Sequence, residues 1–149
     1  MVTLLNAEVH HTSDECFTTY EPIAQVVLFI QFFPYSLARH IQKHAVLLAQ
    51  IESLNRGVQS RDPREFDVPA TVRYLFHYAG WAQLIPSSEL RDWKPVGVVA
   101  AVMSGSSPLV TLAQIVAPAL AAGNTVCLKP PKRSPLPALL FASIAVQAG

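Results

Sequence analysis

Two short polar clusters carry residue types able to bind anions: Ser104-Gly105-Ser106-Ser107 and Lys129-Pro130-Pro131-Lys132-Arg133. Each follows an apolar run and precedes a helical pattern. Ser107 suits an N-cap and Pro108 suits the first helical position, so free N–H groups would face whatever lies before that turn. Such a site favours an anion or a developing oxyanion. Gly105, lacking Cβ, lets backbone approach a ligand closely. In the second cluster, Lys129 at the carboxyl end of a strand can reach ribose hydroxyls or phosphate. Ser134 and Pro135 repeat the cap-and-proline pattern. Each cluster also has a plain reading, as a well-capped helix and a solvated basic loop, and local chemistry leaves both open. Neither G-x-G-x-x-G nor G-x-x-x-x-G-K-[ST] occurs.

The elements that must position these turns are two β–α units. Val96–Met103 and Thr125–Leu128 are apolar throughout, which fits buried parallel strands better than half-exposed ones. Helical patterns run over Pro108–Ala122, stopping at Gly123-Asn124, and over Pro135–Ala148. The crossover should be right-handed. Ligands of open parallel sheets bind beyond the carboxyl ends of the strands, where both clusters lie. Pro118 should kink the first helix, because it removes a backbone donor and crowds the Gln114 carbonyl.

Upstream, Tyr35–Asn55 reads as a helix with Leu37, Ile41, Leu48, Ile51 and Leu54 at helical spacing, ended by Gly57. Phe66–Trp81 reads as a second, with Pro69 in its first turn and Gly80 ending the regular pattern. Leu84-Ile85-Pro86 suggests a strand end. The fold class is therefore α/β: a partial, Rossmann-like, doubly wound parallel sheet (β-α-β-α) preceded by two helices. The one candidate boundary lies near Pro34. It separates an unassigned segment, 1–34, in which Val2–His11 could form a short strand, from an incomplete domain, 35–149.

The bulk properties are consistent with that picture. The chain has 149 residues, 51% hydrophobic and 14% charged, with net charge +1. That excludes disorder and gives no electrostatic case for nucleic acid. So apolar a chain suggests surfaces covered by further chain or by a partner. Cys16 and Cys127 suggest no disulfide framework, and a reducing, cytoplasmic setting is the simpler expectation. No basic n-region opens the chain. Ile23–Phe33 is too short and too interrupted to span a bilayer; burial is expected there, with a membrane-surface role as the other option. His10, His11, Asp14, Glu15 and Cys16 match no common zinc spacing. His40 and His44 share a helix face but have no third ligand nearby, so no metal is expected.

At Pro95-Val-Gly-Val-Val, and again at Ile115-Val-Ala-Pro-Ala-Leu-Ala-Ala-Gly-Asn-Thr-Val-Cys-Leu-Lys-Pro130, the sequence resembles the NAD(P)-dependent aldehyde dehydrogenase superfamily. The likeness extends upstream through Ala38–His44, Ile51–Gly57 and His77–Gln83, and covers Tyr35–Gly149. It implies a Rossmann-like cofactor domain binding NAD or NADP and, in a complete enzyme, oxidation of an aldehyde to a carboxylic acid by thiolate attack and hydride transfer. It places Lys129 where the family's lysine contacts the adenosine ribose. Lys132 stands where an acid usually shares that ribose; the reversed charge could favour a 2′-phosphate. Ser104 falls in the cofactor-binding turn. Ser106 stands where the family's asparagine donates to the oxyanion, and loss of one such donor typically lowers turnover on the order of 10²–10³-fold.

The glycine motif under the pyrophosphate, the general base and the nucleophilic cysteine come later in that family, and neither cysteine here replaces the nucleophile. The expectation is part of an oxidoreductase, silent alone, in a homo-oligomer. The alternative is a truncated, non-catalytic relative that pairs with a longer paralogue.

Overall fold

The computed structural model describes residues 15–17 and 23–149, with side chains from Phe32 onward. Strand β1 (Glu15–Phe17) is followed by helices α1 (Ile23–Lys43) and α2 (Ala45–Arg56). Next come a π-helical turn (Pro63–Asp67) and helix α3 (Val68–Leu84). A 3₁₀ turn (Ile85–Ser87) then leads to β2 (Val98–Val102), α4 (Pro108–Ala121), β3 (Thr125–Lys129) and α5 (Leu136–Ala148). The expected strand at Val2–His11 and the ligand-like residues His10, His11 and Asp14 lie outside the described residues.

The β-α-β-α unit is present as expected, with β2 and β3 paired in parallel from Val98↔Thr125 to Val102↔Lys129. β1 adds an antiparallel strand on the far edge of β3, giving the order β1-β3-β2. The strands are not buried throughout. Val126 and Leu128 are enclosed, while Val98 is 63% and Val102 78% exposed. Side chains alternate between faces along a strand, so one face of the sheet meets the helices and the other is bare among the described residues. β2 starts two residues later than its apolar run because Gly97 takes φ 107°. There the Gly97 N–H donates to Asn124 Oδ1 (3.0 Å), and its carbonyl accepts from the Thr125 N–H (2.9 Å).

The long helix expected over Tyr35–Asn55 is two helices. α1 starts earlier and runs through Pro34. An internal proline costs on the order of 3 kcal/mol, but this ring is fully buried, and that burial offsets part of the cost. The chain breaks at His44 (φ −98°, ψ 16°), which resets the helical phase. Leu48, Ala49 and Glu52 therefore face inward, while Leu54, expected on the apolar stripe, is 80% exposed. Gly57 ends α2 in the left-handed region, its N–H bonded to the Ser53 carbonyl.

α3 continues past Gly80, where a stop was expected. One interior glycine weakens a helix by only about 1 kcal/mol, too little to end one packed against α1 and α4. The expected strand end at Leu84-Ile85-Pro86 is a 3₁₀ turn closed by the Ser88 N–H on the Ile85 carbonyl (3.1 Å). α4 likewise continues through Pro118 to Ala121. It closes at Gly123 (φ 77°), with Gly123 N–H on Leu120 O and Asn124 N–H on Ala119 O, both 2.9 Å. This left-handed cap is the stop read at Gly123-Asn124.

Helices α1 to α5 contribute to one core, centred on Leu37, Ile41, Leu48, Leu75, Leu109 and Phe141. Among the described residues no helix is long and apolar enough to cross a membrane.

Candidate functional site

The two polar clusters meet at the carboxyl ends of the parallel strands. The Met103 N–H donates to the Lys129 carbonyl (3.1 Å), tying the ends of β2 and β3 together. A Cβ placed on Gly105 would lie 3.4 Å from Ser134 Oγ and 4.0 Å from Pro131 Cβ, so the turns are in contact there. Any larger residue at 105 would have to extend away from the second turn.

The local detail differs from the expected caps. Ser107 sits in the left-handed region (φ 46°, ψ 62°), and its hydroxyl caps nothing. Positive φ is uncommon for a residue with a Cβ, and it is held here by neighbours. Thr111 donates its N–H to the Ser107 carbonyl (3.0 Å) and its hydroxyl to the Ser106 carbonyl (3.2 Å). α5 also lacks the expected serine cap. Pro135 occupies that position, the Ser134 N–H bonds the Pro131 carbonyl (3.1 Å), and the buried Ser134 hydroxyl has no partner.

Ser104 and Ser106 are both exposed, with hydroxyls 3.3 Å apart, so one donates to the other. Lys129 ends β3 with its side chain exposed, and Lys132 is exposed on the following turn. Among the described residues no carboxylate pairs with either lysine. The site thus presents two hydroxyls, two unpaired ammonium groups and an open glycine backbone. That set suits a polyhydroxylated, anionic ligand.

His40 and His44 lie one turn apart near the junction of α1 and α2. His40 Nδ1 lies 3.0 Å from the Ser36 carbonyl and His44 Nδ1 2.9 Å from the His40 carbonyl, so in each ring the Nδ1 nitrogen is engaged with backbone. Among the described residues no three potential ligands cluster.

Sequence reasoning missed Glu52. Its side chain is wholly buried, and neither carboxyl oxygen makes a well-formed hydrogen bond. Burial, reinforced by the nearby Asp67 carboxylate, pushes its pKa from 4.5 to about 7. The Leu109 N–H in the first turn of α4 and the Arg56 guanidinium pull the other way, but more weakly. Arg56 is 3.7 Å from Glu52 and closer to Asp67, with which it forms a hydrogen-bonded ion pair. Glu52 therefore lies under the start of the helix that carries the first turn. Its spacing four residues after Leu48 was the available signal.

Comparison with known proteins agrees with this arrangement. The model of the aldehyde dehydrogenase family matches residues 34–149. Phenylacetaldehyde dehydrogenase of Pseudomonas fluorescens is 37% identical over 128 residues, which is 76% of this chain and 26% of that protein. The cytosolic aldehyde dehydrogenase 1 of Mus musculus is 34% identical over 122 residues, 76% of this chain and 24% of that protein. The NAD⁺ complex of an aldehyde dehydrogenase from Bacillus cereus superposes with TM-score 0.77 at 33% identity, covering 87% of this chain and 28% of that one. The chain therefore spans about a quarter of the length of the relatives it matches. Parallel β-α-β-α topology, polar turns at the strand ends and a family match over more than two thirds of the residues lead to one conclusion: this chain belongs to the aldehyde dehydrogenase family.

Proposed function

We propose that residues 35–149 form the first part of an NAD(P)-binding domain in an enzyme that oxidises aldehydes to carboxylic acids. The observation that carries this reading is Lys129, exposed at the carboxyl end of β3, paired with no carboxylate among the described residues, and tied through its carbonyl to Met103 just before the first turn. The donors present fit the adenosine half of a dinucleotide. Lys129 would hold the ribose, Ser104 would line the turn, and Lys132 would favour a 2′-phosphate and so NADP. The dinucleotide supplies hydride acceptance. Ser106 would donate to the oxyanion, once freed from its bond with Ser104. This chain alone oxidises no aldehyde on this reading, since neither Cys16 nor Cys127 stands where the family's catalytic cysteine does.

Equilibrium binding of 5′-AMP and adenosine 2′,5′-bisphosphate to the purified chain tests the assignment. Lys129→Ala should weaken both ligands about tenfold or more, the scale of one charge-assisted hydrogen bond. Lys132→Ala should weaken only the bisphosphate. Equal affinities in both variants and the parent chain would refute it. A cytoplasmic setting, as for the mouse relative, belongs to the same proposal.

A second reading has its own support. β2 lies at the edge of the sheet, and Val98 and Val102 leave its outer face bare. An unpaired edge invites strand pairing. The chain would then act as a non-catalytic partner of a longer dehydrogenase, or associate with its own copies. Co-purification with such an enzyme supports it; a monomer that ignores added dehydrogenase removes it.

A further inference from the structure

The register of the short antiparallel pair sets Cys16 of β1 directly opposite Cys127 of β3. These are the only two cysteines in the sequence, one from each end of the chain. We propose that they form a reversible disulfide that clamps β1 to the sheet under oxidising conditions.

The geometry of antiparallel sheets carries the argument. Directly opposed residues have Cα atoms about 4.5 Å or about 5.5 Å apart, depending on the hydrogen-bonding of the pair. Both spacings lie within the roughly 4.4–6.8 Å that a disulfide spans. Opposed Cβ atoms are about 4.5–5.5 Å apart, the near end of which meets the disulfide requirement of about 3.5–4.5 Å. A register slip of one residue would end this opposition. Cys127 is a half-buried free thiol on the face opposite Val126 and Leu128, open to a small oxidant. Its neighbour on the other side is Ala100, which leaves room for sulfur.

The step requires a low-molecular-weight disulfide as oxidant. The Cys127 thiolate attacks it, forming a mixed disulfide and releasing one small thiol. The Cys16 thiolate then attacks the Cys127 sulfur and expels the second. Two protein thiols become one disulfide, and one small disulfide becomes two thiols. In a reducing compartment the pair stays open. Oxidation would fix β1 alongside the strand that ends in Lys129.

The test is to equilibrate the purified chain with mixtures of reduced and oxidised glutathione, natively and in urea, and count the remaining thiols. Closing a loop of about 100 residues in an unfolded chain carries an entropic cost equivalent to roughly 10³-fold in the equilibrium. The native chain should therefore lose both thiols together at an oxidant fraction at least about tenfold lower than the urea-unfolded chain. Peptide mapping should find Cys16 joined to Cys127 in a monomer. Cys16→Ser and Cys127→Ser should each prevent that link. Equal oxidant demand in the two states, persistent thiols, or only glutathione adducts and intermolecular dimers would overturn the proposal. The comparison of native and urea-unfolded parent chain decides the matter even if a variant fails to fold.

Discussion

Replacing Glu52 with glutamine should remove a large pH dependence of stability. The carboxyl titrates at about 7 in the folded chain against 4.5 unfolded, a rise of about 2.5. At 1.36 kcal/mol per pKa unit this corresponds to about 3 kcal/mol. The sign follows from proton binding. The folded state holds the proton more tightly, so the contribution is fully present below about pH 4.5. It is lost progressively as pH rises to about 7, and above that the buried carboxylate is a constant burden. For a domain whose whole stability is on the order of 5–15 kcal/mol, that loss is substantial. Burial is the main cause and Asp67 adds to it, while Leu109 N–H and Arg56 compensate in part.

The Glu52→Gln variant keeps the shape and removes the titration. Urea unfolding of both proteins between about pH 4.5 and pH 8 measures the difference at each pH. The variant should gain on the parent by about 3 kcal/mol across that range. Any fixed cost of burying the amide shifts the curves but not their divergence. Parallel curves would refute the reasoning, since they would mean that Glu52 ionises as freely in the fold as in the unfolded chain.

The glycines give a paired prediction. Gly80→Ala should stabilise the chain by about 0.5–1 kcal/mol, because the site is helical and a Cβ there meets nothing within 4 Å. Gly123→Ala should destabilise it by about 1–2 kcal/mol, because φ is 77°. Thermal melts of the two variants should move in opposite directions, and shifts of the same sign would contradict the cap assignment. Asn124→Ala removes the acceptor for the Gly97 N–H and should cost about 1–3 kcal/mol in urea unfolding. A loss below about 0.5 kcal/mol would mean water replaces that bond without penalty.

The β-α-β-α unit was legible because its signals are local. Apolar runs, Pro108 at a helix start and Gly123 past a helix end act within a few residues of themselves. The same local rules misread Gly80 as a helix stop and Tyr35 as a helix start, where packing outweighs a backbone penalty of a few kcal/mol at most. They also missed the break at His44, and with it the rotation that buries Glu52 and exposes Leu54. The serine caps fail for a related reason. Ser107 and Ser134 have the right type and position, but Thr111 binds the Ser106 and Ser107 carbonyls and the Ser134 N–H binds the Pro131 carbonyl, and the backbone takes other conformations there.

Taken alone, the sequence determined the α/β class, the order of the β-α units, the polar turns at their strand ends and the family resemblance, since each depends on residue types at short spacing. Only the tertiary structure decided which face of the sheet is bare and that Gly105 touches the second turn. It also decided that Glu52 lies under α4 and that Cys16 stands opposite Cys127. Those facts join residues far apart in the chain, and short-range propensity carries no information about such distances.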